Sequence, residues 1–320
     1  MTPVPTRPCA KPTHPHHALR AGRGWHHTSP PTFNEASPPP PFPTNYTTGD
    51  ASQFRNGYAM LSVMDISAVI ITFNEEERLA GALRSLRGLA KEVIVVDGRS
   101  QDQTVKVAKQ LGARVFVREW TNYSDQKNFG NQKASCPWIL SLDSDERVSP
   151  DLRAEVKALL PVEPDCDGFS IPRLVFYLGR WVRHSGWYPD RRIRLFRKDK
   201  ACWEGEYVHE KLAFQGRLEK LQGPIHHFTY RSIAEHVARL NAFSSLGAKK
   251  LYAGRKKCHA YHLVFLPAAR FLRTFFLKRG FLDGFAGLVI AVLNSYAIFL
   301  RYAKLREIWK KGERIEPFPY

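Results

Sequence analysis

Cysteine is sparse and scattered in this sequence: Cys9, Cys136, Cys166, Cys202 and Cys258 form no CxxC pair and have no histidine partner at zinc-finger spacing. Neither a disulfide framework nor a structural zinc site is suggested, and a reducing cytosol is the simplest compartment. No apolar core of roughly 7–15 residues follows the early basic positions, so the N-terminus does not read as a signal peptide. Internal repeats are absent. Helix-turn-helix, zinc-finger and RRM-type aromatic signatures are absent too, which removes the common nucleic-acid modules. A phosphate cradle of the GxxxxGKS/T type is also missing, which argues against a P-loop phosphotransferase. Acidic residues are in the minority, with 30 Asp and Glu against 48 Lys and Arg, leaving a formal charge of +18.

That excess is concentrated in residues 226–320, which hold 17 Lys and Arg against 5 Asp and Glu. Such a surface attracts polyanions, whether nucleic acid, anionic lipid headgroups or a phosphorylated glycolipid. The basic residues are interleaved with a long uncharged run, which favours a membrane surface, and no nucleic-acid partner is expected. Gly284 to Leu300 is a run of 17 residues without formal charge, slightly short of the ~18–20 expected of a spanning helix. Lys278 and Arg279 precede it and Arg301, Lys304 and Arg306 follow it, so the flanks set no orientation. They suit a helix lying in the interface, with Lys and Arg reaching towards headgroups. Packing as core against the rest of the protein is the alternative.

Residues 1–64 stand apart, with 12 of the 22 prolines and 5 of the 12 histidines and no sustained apolar period. A disordered tail is expected there, its histidines (His14, His16, His17, His26, His27) either solvated or chelating. Met64 is a candidate natural start. The division expected is a tail over 1–64, a catalytic-type domain over 65–225, and a basic helical, membrane-associating region over 226–320.

From Ile66 short apolar runs alternate with helical periods, the signature of βαβ units and a mostly parallel sheet. Ala68 to Ile71, Val93 to Val96, Val115 to Val117 and Trp138 to Leu142 read as strands. Leu79, Leu83 and Leu86 form one helical face, Val105, Ala108 and Leu111 another, and Ser149-Pro150 reads as a helix start. In open α/β sheets ligands bind beyond the carboxyl ends of the strands. Three polar clusters fall at such ends: Thr72-Phe73-Asn74-Glu75, Asp97-Gly98-Arg99-Ser100-Gln101-Asp102, and Asp143-Ser144-Asp145. The two carboxylates Asp143 and Asp145 are hard oxygen ligands suited to Mg or Mn, which such sites share with substrate phosphates.

The segments Ile70 to Glu76, Val95 to Thr104 and Leu142 to Glu146 resemble, in order and spacing, the successive motifs of family 2 inverting glycosyltransferases. Trp187 to Arg192, Arg194 to Lys198 and Trp203 to Glu210 narrow the resemblance to lipopolysaccharide core biosynthesis β-glucosyltransferases. The resemblance implies an A-type fold, Rossmann-like and mostly parallel, here with a helical C-terminal extension. It implies a UDP-sugar donor and a divalent metal, Mg or Mn. Thr72, Asn74, Glu75 and Asp97 would hold the uridine, with Asp102 close by, Lys127 would assist the donor site, and Asp143 and Asp145 would hold the metal, Asp145 more directly. Arg99 stands where the family pattern has a small residue, and would touch donor phosphate or point to solvent.

Charge bookkeeping supplies the rest. The leaving diphosphate gains negative charge, and a carboxylate must take the proton of the attacking hydroxyl, giving inversion. Glu210 is the first candidate for that base, Asp190 the second and Glu206 the third, with His209 orienting a neighbour. Arg191, Arg192, Arg194 and Arg197 are candidates to pin a diphosphate or acidic acceptor. The implied activity is transfer of a hexose, glucose first, to a lipid-linked or lipopolysaccharide inner-core acceptor at the cytoplasmic face of the inner membrane. The rival reading, a basic membrane- or nucleic-acid-binding protein without transferase activity, leaves Asp97, Asp143 and Asp145 unexplained.

Overall fold

The computed structural model describes residues 64–162, 164–205 and 210–311. The expected tail, apart from Met64, and the candidates Glu206 and His209 lie outside these residues. The first half alternates strictly: β1 (Ile66–Thr72), α1 (Glu76–Leu86), β2 (Glu92–Asp97), α2 (Thr104–Gln110), β3 (Arg114–Val117), α3 (Tyr123–Lys133), β4 (Trp138–Asp143). There follow β5 (Glu146–Val148), α4 (Pro150–Leu159), β6 (Gly168–Tyr177), β7 (Arg180–Val182), β8 (Asp190–Arg197), β9 (Ala201–Glu204), β10 (Lys211–Phe214), β11 (Leu218–Lys220) and β12 (Ile225–His227). All four expected strands of the first half form. β9 and β10 make a separate antiparallel pair, and the remaining strands belong to one sheet.

The order along that sheet is β3-β2-β1-β4-β8-β6-β12-β5. It is parallel across β3-β2-β1-β4 and becomes mixed where β8 joins β4 and β6 antiparallel. β1 is buried along its whole length, as expected of a strand covered on both faces. Ala68 and Ile70 pack with Leu79, Leu83 and Leu86 of α1 and Leu152 and Val156 of α4. Val69 and Ile71 face the other way, onto the layer containing Phe129 of α3. Each of those leucines contributes roughly 1.5–3 kcal/mol by leaving water. Ser149 caps α4 by accepting a hydrogen bond from Leu152 N at 3.1 Å. Of the expected α2 face, Ala108 is buried and Leu111, at the C-cap, packs against the same core; Thr104 is buried beside them, and Val105 is half-buried.

Beyond the sheet come α5 (Ile233–Ala253), α6 (Ala260–Leu272), a π-helical turn Arg273–Leu277, a 3-10 turn Gly280–Asp283 and α7 (Gly284–Lys311). The last sheet strand, β12, starts at Ile225 and runs across the boundary expected there, pairing with β5 and β6. α6 and α7 form a hairpin, with Ser295 Oγ donating to the Pro267 carbonyl at 2.6 Å. Lys304 of α7 donates to the Asn241 carbonyl at 2.8 Å and its side-chain oxygen at 2.6 Å, both on α5. The helix that carries the uncharged run continues past Leu300 to Lys311, and Gly280–Lys311 is long and apolar enough, by length and composition, to cross a membrane. Its inner face is nevertheless packed on protein: Ala286 and Ile290 sit against Val175, Tyr177 and Val182 of β6 and β7.

Candidate active site

The carboxyl ends of β1, β2 and β4 lie side by side, because Thr72 pairs with Asp97 and Ile71 with Asp143 in the parallel register. Asp97 is fully buried. It accepts from Thr72 Oγ1 at 2.9 Å, from Ser100 N at 2.8 Å and from Ser100 Oγ at 2.5 Å. Asn74 closes the loop, its amide donating to Ser100 Oγ and its side-chain oxygen accepting from Gln101 N. Both Asn74 and Arg99 take positive φ, 54° and 66°. Asparagine tolerates that conformation, whereas arginine does so at a cost of about 1 kcal/mol, so Arg99 occupies a backbone position that suits glycine. Its side chain is exposed. At Gly98 a Cβ would come within 2.8 Å of the Trp120 ring; the missing side chain lets Trp120, Phe73 and Tyr123 gather over the loop. Phe73 is 53% exposed, leaving an aromatic face at the rim.

Asp102 is a latch. Oδ1 accepts from Thr104 N and Oγ1, and Oδ2 from Glu76 N, tying the starts of α1 and α2 together. Burial pushes its carboxyl up, but those hydrogen bonds outweigh burial and hold it below the ordinary value. Glu75 behaves oppositely: burial, aided by nearby Asp145, raises it against the pull of Arg78.

Asp143 lies between two cations. Lys127 Nζ is 3.0 Å from Oδ1, and an Arg194 guanidinium nitrogen is 2.6 Å from Oδ2. Burial opposes its charge, but Arg194 and Lys127 hold the carboxyl well below the usual range. Arg194 also binds Glu146 at 2.7 Å, and Glu146 in turn accepts from Asp143 N at 3.0 Å. Lys127 reaches Glu210 Oε1 at 2.8 Å and lies over the Trp203 ring. The second oxygen, Glu210 Oε2, is buried with no hydrogen-bond partner among the described residues. α3 carries Lys127 inward on a face of buried polar residues, Gln126, Lys127 and Asn131.

Asp145 has partners of its own. Its Oδ2 lies 3.4 Å from His227 Nε2 and 3.8 Å from Arg78. Arg78 also pairs with Glu235 in the first turn of α5 at 3.1 Å, so the helical region reaches the rim of the sheet. His227, Arg78 and Glu235 were not foreseen. His227 had a signal only in the register of β12, which places it opposite Glu146, next to Asp145.

The second candidate base is less open. Asp190 is gripped by Arg173 and by Arg192 at 3.0 Å. Burial raises its carboxyl, but these arginines outweigh it and hold it below the ordinary value. The four-arginine stretch is mostly spent on structure. Arg191 donates to the Ser170 and Leu221 carbonyls, Arg194 is buried with its carboxylates, and Arg197 lies over the Trp138 ring. Among the described residues no group of three or more His, Cys, Asp or Glu side chains converges as a metal cage.

Acidic and basic side chains crowd the rim at the carboxyl ends of the parallel strands, the place where α/β folds bind ligands. Residues 67–228 match the model of Glycosyl transferase family 2. The chain belongs to that family and is a glycosyltransferase, with the α/β fold and helical C-terminal region its motifs implied. It is 34% identical over 261 residues to an uncharacterized glycosyltransferase of Rickettsia typhi, covering 78% of this chain and 89% of that one. It is 28% identical over 258 residues to the lipopolysaccharide core biosynthesis glycosyltransferase LpsC of Rhizobium meliloti, covering 76% and 95%. Among solved structures it resembles S. aureus TarS 1–349 in complex with UDP-GlcNAc, at 15% identity and a TM-score of 0.39, covering 79% and 93%.

Proposed function

We propose that this glycosyltransferase moves a hexose, glucose first, from a UDP-sugar to a lipid-linked or lipopolysaccharide-core acceptor. It does so with inversion, with a divalent cation, at the cytoplasmic face of the inner membrane, and without a nucleic-acid partner. The observation that carries the reading is the 3.4 Å spacing of Asp145 Oδ2 and His227 Nε2 on a rim that also holds the Asp97 loop and Glu210. Two donors bound at right angles to one small ion, each about 2.1 Å away, stand about 3 Å apart. The pair therefore fits an ion completed by substrate phosphate oxygens, and the imidazole favours Mn over Mg. Bound there, the cation would neutralise charge building on the departing diphosphate.

Asp143 serves differently in this reading, as the anion that fixes Lys127 and Arg194 beneath the diphosphate. Asp97, Thr72 and Asn74 shape the nucleoside side, with Glu75 and Asp102 setting the start of α1 and the exposed ring of Phe73 offering a stacking face. Glu210 is the base: Lys127 holds Oε1, and the unpartnered Oε2 takes the proton of the acceptor hydroxyl as that oxygen attacks the anomeric carbon opposite the leaving UDP. Asp190 is the weaker candidate because two arginines already share it. The name of the LpsC relative supports a core acceptor, and the exposed apolar side chains of α6 and α7 support a membrane surface. Because the inner face of α7 is packed on β6 and β7, the helix lies on the membrane in this reading.

The test is UDP release from UDP-hexoses with lipopolysaccharide core as acceptor. Glu210→Gln should lower turnover by about 10²–10⁴-fold while UDP still binds. Wild-type turnover in that variant would remove Glu210 as the base, and no release from any UDP-hexose would remove the donor reading.

A further inference from the structure

The motif Trp187 to Arg192 is only partly used by the site above, and its first residues border a second cavity. A cleft of about 370 Å³ lies between the loop before β8 and the turn joining α6 to α7, lined by Arg183, His184, Tyr188, Leu277, Lys278 and Arg279. Arg183, Lys278 and Arg279 are exposed, and none has an acidic partner within ion-pair distance among the described residues. Three unpaired cations around one cavity repel one another and are matched only by an anion.

The turn is fastened to the catalytic part by a buried carboxylate. Asp283, 1% exposed, accepts from Arg183 N at 3.1 Å, His184 N at 3.0 Å and Ser185 Oγ at 2.9 Å. Ser185 N donates to the Lys278 carbonyl at 2.9 Å. At Gly287 a Cβ would lie 1.8 Å from the Gly280 carbonyl oxygen, so α7 presses directly on the turn. The two walls of the cleft are therefore held in fixed relation. Immediately beside it the same turn exposes Phe276, Leu277, Phe281 and Phe285, at 53%, 78%, 48% and 66%. An apolar tip flanked by unpaired Lys and Arg is complementary to a bilayer leaflet, with its hydrocarbon below and anionic headgroups around it.

We propose that this cleft binds the phosphate of an anionic lipid whose chains lie in the leaflet entered by the Phe276–Phe285 tip. Arg183 closes it from the catalytic side, and Lys278 and Arg279 from the hairpin side. The consequence is registration: the catalytic rim is held at a set height and angle above the membrane through Asp283. This rests on the membrane-surface reading above and adds the specific headgroup site.

The test is flotation of the full chain with vesicles of phosphatidylcholine alone or mixed with phosphatidylglycerol, with and without millimolar inorganic phosphate. Wild type should float with the mixed vesicles. K278Q/R279G should bind them more weakly by about ten-fold or more, since each cation near an anionic surface is worth about five-fold. Arg279 has a φ of 52°, so glycine suits its backbone, and UDP binding should be unchanged. R183Q, on the opposite wall, should also weaken flotation. Wild-type flotation by both variants would overturn the headgroup site while leaving membrane association intact. Displacement of wild type by inorganic phosphate would reassign the cleft to a free anion. Failure of wild type to float with either vesicle would overturn the membrane reading itself.

Discussion

Lys127 and Arg194, in the sheet region, are 1% and 4% exposed, whereas Phe265 and Leu277, in the helical region, are 69% and 78% exposed. Each region inverts the usual disposition of its residue type. In the first, charged groups are taken out of water and tied to one another, which is costly unless every partner is present. In the second, apolar groups are left in water next to basic side chains without partners. A protein with only a core to maintain needs neither. In the function proposed above, the first arrangement would serve a diphosphate and the second a membrane surface.

Breaking the first region should be the more destructive. Arg194→Leu removes the cation that Asp143 and Glu146 share, leaving Asp143 with Lys127 alone and Glu146 with Arg173 alone, and should lower unfolding free energy by about 3 kcal/mol in a denaturant titration. A loss under 1 kcal/mol would mean that the cluster is wetter than its burial implies.

The seam between the regions supplies a smaller effect. His236 of α5 is buried, with Nδ1 2.9 Å from the Tyr177 hydroxyl and its ring stacked on Tyr230. Burial pushes its pKa down from 6.5 to about 4. The unfolded chain thus takes up this proton at higher pH than the folded one. The stability His236 contributes is complete above about pH 6.5 and is lost as pH falls towards 4, about 2 kcal/mol by pH 5. His236→Phe should flatten that part of the stability–pH curve; an unchanged slope would assign it to other groups.

Smallest of all is the exposed face. Phe265→Gln should change unfolding free energy by less than about 0.5 kcal/mol, because the ring is already in water. A loss of 2 kcal/mol or more would show that the face is covered by protein in solution.

Much of the first region was legible because hydrophobic periodicity reports burial. The run from Ala68 to Ile71, the Leu79, Leu83, Leu86 face and the Ser149-Pro150 start all form as the pattern indicates. α3 left no such trace, since its inward face is made of the buried polar residues Gln126, Lys127 and Asn131. Asp97, Asp143 and Asp145 were visible as strand-end carboxylates, but their partners were not. Arg78 and His227 reach Asp145 from α1 and β12, far apart in sequence and joined only by sheet order. The density of arginines after Asp190 suggested a phosphate clamp but not their internal partners: Arg191 donates to the Ser170 and Leu221 carbonyls and Arg194 pairs with Asp143 and Glu146. The length of α7 was foreseen in part, its packing on Val175 and Val182 only as an alternative.

The central claim is that the rim around Asp145 and His227 binds a nucleoside diphosphate with a cation. The direct measurement is calorimetric titration of the full chain with UDP, in Mn and then in EDTA, on wild type and Asp145→Ala. Binding is expected in Mn and should weaken at least ten-fold, about 1.4 kcal/mol, in EDTA and in the variant alike. Equal affinity in all three would contradict that claim.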